Sequence, residues 1–204
     1  MTPTELHSIL RAGDEATILQ NIQDGLFDVF FPGLQSSHGC SQGSKMHFEG
    51  DVAKHTAKVV SNLVKISQED PQAQFDDVDL VAALIHDIGK VATRVEKASG
   101  EVSFPGHEGV AAERVPDFAR KLGLNSEEHS KLDFLVREHG VAHSLPREAQ
   151  TTQRRIIVSP YWRNLRLLQK ADALGCYMTA DGSKRLPVHW AVFDKLREEL
   201  NLIS

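Results

Sequence analysis

Apolar side chains recur along this chain at steps of three and four and almost nowhere at steps of two. That period belongs to helices with one buried face, so the pattern predicts a mostly α fold. Thr2-Pro3-Thr4-Glu5 predicts a first helix, with Pro3 at its first position and Glu5 completing a capping box. A short second helix is predicted from Asp14 towards Asp24, before a Gly/Ser-rich loop, GLQSSHGCSQGS, at 33–44 that is the main candidate boundary. Helical pattern then runs from His47 to Gln68 and, after the breaker QEDPQAQFDD, from about Asp76 to Gly89. EKASGEVSF predicts an exposed turn or short hairpin, and PGHEGVAAERVPDFARKLG another helix that Pro116 can bend or split. Asn125, with Glu128 at the capping-box position, starts SEEHSKLDFLVREHG, and Ser159-Pro160 starts YWRNLRLLQKADALG. The amphipathic stretch VHWAVFDKLREELNL closes the chain. The expected organisation is an N-terminal helical extension and loop over 1–46, a core over 47–176, and a C-terminal helix within 177–204 that packs on the core.

Composition agrees with this and narrows the setting. In 204 residues, 25% charged and 41% hydrophobic side chains suit one globular domain with a substantial core and argue against disorder. The two cysteines, Cys40 and Cys176, lie far apart, and the N-terminus lacks the basic start and apolar run of a signal peptide, so a reduced cytoplasmic setting is expected. No apolar run approaches the roughly 20 residues needed to cross a bilayer, and no membrane span is expected. A net charge of -5 gives no global attraction to nucleic acid, although a local basic patch is compatible with it. The ten histidines are scattered rather than clustered, which is not the pattern of an affinity tag.

Helix phase shows where those histidines face. Val52, His55, Val59 and Leu63 follow steps of three and four, which places His55 in an apolar stripe. Leu132, Leu135, Val136 and His139 do the same for His139, and Leu165, Leu168 and Asp172 for an aspartate. In ALIHDIGK, Val81, Leu84, Ile85 and Ile88 form the stripe, with His86 and Asp87 at its edge. A lone inward histidine is ordinarily a hydrogen-bonded core residue, and Asp172 alone could pair with an arginine. Together, His55, His86, Asp87, His139 and Asp172 would each need a separate partner, whereas one shared metal satisfies them all. Imidazole nitrogen with carboxylate oxygen suits Mn, Fe, Co, Ni or Zn better than calcium, with Mg also possible. His107-Glu108 would stand at a helix N-terminus, either a plain helix start or a place for a phosphate.

These residues resemble the HD superfamily of metal-dependent phosphohydrolases, whose pattern is a His, then His-Asp, then a later Asp, all on helices: here His55, His86, Asp87 and Asp172. More closely, HFEGDVAKHT (47–56), HDIGKVATR (86–94), FPGHEGVAAE (104–113), LVREHG (135–140) and LLQKADALG (167–175) resemble, in kind and in order, the HD domain of bacterial tRNA CCA-adding enzymes. The likeness covers about 47–176 and implies an all-α, HD-domain-like helical bundle around a metal site. CCA-adding enzymes carry a nucleotidyltransferase domain ahead of it, for which this chain has no room. Asp77-Val78-Asp79 imitates a polymerase carboxylate pair but lies in the first turn of a helix, where acids favour the dipole. CCA addition is therefore not expected, while phosphoesterase activity could survive alone.

The resemblance implies that His55, His86, Asp87 and Asp172 bind a first metal. With His107 and His139 added, two ions about 3.5–4 Å apart could be held with Asp87 bridging, activating a water to attack phosphorus. Lys90, on the same side as His86 and Asp87, is assigned to a substrate phosphate oxygen, its ordinary alternative being a solvated helix-end lysine. Glu108 is expected either to protonate the leaving group or to hydrogen-bond a ligand histidine. Arg163, Arg166 and Lys170 share a helix face that could meet a nucleotide or RNA phosphate, or could simply be solvated. His143 could replace His139 if its helix ended early, and His7, His38, His129 and His189 are read as surface or packing residues.

The expected function is hydrolysis of phosphomonoester or phosphodiester bonds of nucleotides, cyclic nucleotides or RNA ends. A second reading is a di-iron HD-fold oxygenase acting on a small phosphonate or polyol, and a third is a binding module that kept only the fold. Lys90 and the blocks shared with the CCA-adding enzymes favour hydrolysis; the oligomeric state is left open.

Overall fold

The structure is a computed structural model that describes residues 1–43, 47–184 and 190–199. Helices dominate, as the apolar period predicts. In chain order they are α1 (Pro3–Ala12), α2 (Glu15–Gln23), α3 (Val52–Glu69), α4 (Asp77–Ile85), α5 (Lys90–Thr93), α6 (His107–Ala112), α7 (Val115–Leu122), α8 (Ser126–Ser144), α9 (Gln150–Val158), α10 (Trp162–Gly175) and α11 (Trp190–Glu199). A two-stranded hairpin, β1 (Val95–Glu96) and β2 (Val102–Ser103), stands between α5 and α6, with Val95 opposite Ser103.

Local chemistry sets the boundaries. Thr2 and Glu5 cap α1 reciprocally, with the Glu5 N–H donating to Thr2 Oγ1 at 3.3 Å and the Thr2 N–H to Glu5 Oε2 at 2.6 Å. Asn125 and Glu128 repeat the device at α8. Pro116 falls in the first turn of α7, where its missing N–H costs nothing, so the predicted 105–123 helix divides into α6 and α7.

The helix expected from His47 starts five residues later instead. Gly50 turns the chain at φ +127°, and the Asp51 carboxylate accepts from the Lys54 N–H at 2.9 Å, which makes Asp51 the cap. The helix expected to run to Gly89 ends at Ile85. Beyond it the chain tightens to i→i+3 bonds, Ile88 N–H to the Ile85 carbonyl at 3.0 Å and Lys90 N–H to the Asp87 carbonyl at 2.9 Å, before α5 begins. His86 and Asp87 thus sit on a turn between two helices rather than inside one. Gly89 is required there by close approach, since a β-carbon would come within 2.1 Å of the His107 carbonyl oxygen.

The apolar period does not predict helix α9, because only Ile156 and Ile157 of its residues are buried and no apolar stripe marks it. Of the predicted closing helix, 190–199 is helical; Val188, His189 and 200–202 lie outside the described residues, as do Ser44, at the end of the predicted loop, and the expected boundary at 46.

Helix α3 packs on α10, α2 and α4, and α8 packs on α10, α6, α4 and α7. Leu6 and Leu10 of α1 and Ile18 and Ile22 of α2 have no exposed surface and join the same apolar core as Leu84, Leu135 and Leu168. No helix among the described residues is long and apolar enough to cross a membrane.

Candidate metal centre

Four helices and one turn bring the inward polar residues to a common point. His55 comes from α3, His86 and Asp87 from the turn after α4, His107 from the start of α6, His139 from α8 and Asp172 from the last turn of α10. The rings touch in sequence, with centroids 5.5 Å apart for His55 and His86, 5.0 Å for His86 and His139, and 5.2 Å for His139 and His107. All but His107 are buried.

Asp87 stands at the centre. Its Oδ2 lies 3.2 Å from His86 Nε2, 3.6 Å from His55 Nε2 and 2.8 Å from Lys90 Nζ, while its Oδ1 lies 3.3 Å from His107 Nε2 and 3.5 Å from His139 Nε2. Asp172 reaches His55 Nε2 with Oδ1 at 3.0 Å and His143 Nε2 with Oδ2 at 2.7 Å.

The tautomers follow from the backbone. Nδ1 of His86, His107 and His139 lies 2.9, 2.9 and 2.8 Å from the carbonyls of Ala83, Phe104 and Val136. A carbonyl only accepts, so each Nδ1 carries the proton and each Nε2 is left with a lone pair facing inward. His107 Nε2 and His139 Nε2 then face each other at 3.3 Å, two acceptors with nothing to share unless a cation or a further proton joins them. His86 Nε2 is buried without a hydrogen-bond partner among the described residues. Such a site penalises the bare protein and fits a bound cation. Among the described residues three sets of potential ligand atoms lie within 4.8 Å of one another: His47, Glu49, His55 and Cys176 behind the centre, and at the centre His55, His86 and Asp172, and Asp87, His107 and His139. The two at the centre are nitrogen and carboxylate sets of the kind divalent transition metals prefer.

Without a cation the electrostatics are strained in the same direction. Burial opposes ionisation of Asp87, but its neighbours His86, Lys90, His107 and His139 outweigh it and hold its carboxyl well below the usual range. Burial likewise opposes ionisation of Asp172, which His143 and His55 hold low. Burial alone would lower His55, yet hydrogen bonds to Asp172 and Glu49 raise it to about 9. His139 is pushed down by burial, and the Asp87 bond does not compensate.

Helix phase reveals neither Glu49 nor Gln42, and it offers His143 only as a substitute for His139. Glu49, placed off the helix by the Gly50 turn, brings Oε1 to 2.6 Å from His47 Nδ1 and 3.2 Å from His55 Nδ1, and its Oε2 accepts the Tyr177 N–H at 2.8 Å. It sits behind His55, so that the ring presents Nε2 to the centre. Its only signal was membership of the HFEGDVAKHT block. His143 faces Asp172 and leaves His139 in the cluster, because α8 continues to Ser144. Gln42, from the loop before α3, accepts from Lys90 Nζ through Oε1 at 2.7 Å.

Lys90 itself is buried, held between Asp87 and Gln42. Glu108 Oε2 lies 3.2 Å from His107 Nδ1, in a space that a side chain at Gly140 would close, since a β-carbon there would come within 2.2 Å of Glu108 Oε1. Arg163 and Arg166 are not brought to the cluster. Arg166 pairs with Asp194 of α11 at 2.8 Å, Arg163 stacks 5.2 Å over Trp162, and both line a groove with Asp70 and Gln72. At 1.5 Å per residue they stand roughly 9 and 14 Å along α10 from Asp172. A different cleft, of about 560 Å³, opens beside the centre between His107, Lys90, His47 and Gln42 on one side and Val102 and Phe104 of the hairpin region on the other.

Residues 52–174, more than half of the chain, match the HD domain family. The chain belongs to the HD domain family. It is thereby a member of the metal-dependent phosphohydrolase superfamily, whose domains bind divalent metals. The matched span of the HD domain includes His55, His86, Asp87, His107, His139 and Asp172, while Gln42, His47 and Glu49 fall ahead of it. Among curated proteins the chain is similar to the multifunctional CCA protein of Thioalkalivibrio sulfidiphilus (strain HL-EbGR7), 28% identical over 140 residues. That alignment takes in 68% of this chain and 32% of the relative, so the chain spans about a third of the relative's length.

Proposed function

We propose that this HD-domain protein hydrolyses phosphomonoester or phosphodiester bonds of nucleotides, cyclic nucleotides or RNA ends. The observation that carries the reading is Asp87, one carboxylate whose two oxygens each face a different set of nitrogen ligands. In this reading His55, His86, Asp87 and Asp172 hold one divalent ion, and Asp87, His107 and His139 a second. Such ions, when bound, lower the pKa of water and offset charge on phosphoryl oxygens.

The rest falls to the protein. The carbonyls of Ala83, Phe104 and Val136 keep three Nε2 lone pairs pointed inward before any ligand arrives, which lowers the cost of assembling the centre. Lys90 balances the Asp87 charge and lines the cleft, where it can meet a phosphate oxygen of a bound ester. Glu108 lies against His107 Nδ1, a place from which it orients that ring, and its partial exposure also lets it pass a proton to a leaving group. The cleft is large enough for a nucleotide-sized ester. The likeness to a protein named for CCA chemistry favours nucleotides and RNA ends among the possible esters.

The test is to purify the protein without chelator, measure its metal content and assay an aryl phosphodiester, an aryl phosphomonoester and iron-dependent oxygen uptake. Ester cleavage that disappears in Asp87→Ala supports the proposal. Oxygen uptake without cleavage supports a di-iron oxygenase on the same ligand set instead.

A further inference from the structure

Gln42 lies ahead of the span shared with the HD family, yet it reaches the centre of the site. Its side chain is 5% exposed and lines the cleft beside His107 and Lys90. Oε1 accepts from Lys90 Nζ at 2.7 Å, and the same ammonium lies 2.8 Å from Asp87 Oδ2. An ammonium has donors only, so it fixes which end of the amide faces it: the oxygen must, and the NH2 must point away. That NH2 group is buried and has no hydrogen-bond partner among the described residues. A buried amide donor left bare is costly, so its place calls for an acceptor.

We propose that Gln42 is a substrate-binding residue of this enzyme, its Nε2 donating a hydrogen bond to a non-bridging phosphoryl oxygen of the bound ester. The proposal rests on the phosphoesterase reading above. Lys90 then acts as a brace: it holds Gln42 in the donating orientation while balancing Asp87. The donor is neutral, so it adds direction to phosphate binding without adding charge next to the histidines. A phosphorylated substrate whose oxygens are all acceptors fits it, whereas a polyol, with donors of its own, gains less.

The test compares Gln42→Leu and Gln42→Glu with the wild-type protein, each loaded with manganese. Readouts are kcat/KM on the aryl phosphodiester, the dissociation constant for inorganic phosphate, and metal stoichiometry. Gln42→Leu removes donor and acceptor without adding charge; Gln42→Glu keeps an acceptor for Lys90, removes the donor and adds a negative charge, so the loss of the donor without a change of charge is read from Gln42→Leu. We expect both variants to bind metal normally, to lose at least tenfold in kcat/KM and to bind phosphate at least tenfold more weakly, with Gln42→Glu no better than Gln42→Leu. If Gln42 serves only to hold Lys90, Gln42→Glu will match the wild type within twofold on both measures, and the proposal is overturned. Gln42→Met, neutral and without a donor, replaces Gln42→Leu should that variant fail to fold. Wild-type protein that binds manganese and phosphate but cleaves no ester overturns the phosphoesterase reading, and phosphate affinity then still reports separately on Gln42.

Discussion

Lys90 Nζ lies 2.8 Å from Asp87 Oδ2, and both side chains are almost wholly shielded from solvent. In the metal-free protein this is a buried ion pair at the hub of the site, with burial opposing the Lys90 charge and Asp87 more than restoring it. Removing one partner of such a pair costs about 3–5 kcal/mol, because the other is left uncompensated. Lys90→Met should therefore lower the urea-unfolding free energy of the chelator-treated protein by about that amount. Saturating manganese supplies positive charge to Asp87 and should recover a large part of the loss. An equal loss with and without manganese would mean that Asp87 does not bind the ion.

His55 is raised to about 9 in the folded protein from an ordinary 6.5, since Asp172 and Glu49 outweigh the burial that opposes its charge. The folded chain thus holds this proton more tightly than the unfolded one. The resulting stabilisation is complete below about pH 6.5 and is lost as pH rises through about 9. The melting temperature of the metal-free protein should fall across that window, and His55→Gln should flatten the fall. At pH 7.5 a metal ion must displace the proton, so titration calorimetry in buffers of differing protonation enthalpy should register proton release on binding.

Gly89 faces the backbone of α6 so closely that a β-carbon would meet the His107 carbonyl oxygen at 2.1 Å. A carbonyl cannot move aside as a side chain can, so Gly89→Ala must push α6 away from the HDIGK turn. The expected cost is about 3 kcal/mol, at the upper end for overpacking, seen as a lower denaturation midpoint. Because α6 carries His107, the variant should also bind fewer equivalents of metal than the wild type, as counted by elemental analysis.

Leu10 of α1 has no exposed surface and packs in the same core as α3 and α4. Leu10→Ala should cost about 2–5 kcal/mol. The loss should appear in a single unfolding transition followed by both circular dichroism and tryptophan fluorescence. Two separated transitions would instead mark 1–46 as an independently folding appendage.

The sequence by itself determined most of the helices and the inward bearing of His55, His139 and Asp172, because a stripe at steps of three and four is a local property that survives without a partner. It also placed Pro116 and the Asn125 cap, whose effects act within one turn. It did not show that α4 stops at Ile85. The apolar run continues to Ile88, and at the turn α6 approaches Gly89 closely, a contact between residues distant in the chain. For the same reason Glu49 and Gln42 were invisible to periodicity: neither lies on a helix, and each is recruited by a side chain that only packing brings near. Which oxygen of Asp87 faces which histidines was likewise decided in three dimensions, by the backbone carbonyls that orient His86, His107 and His139 and by the three helices and one turn that set the rings 5.0–5.5 Å apart.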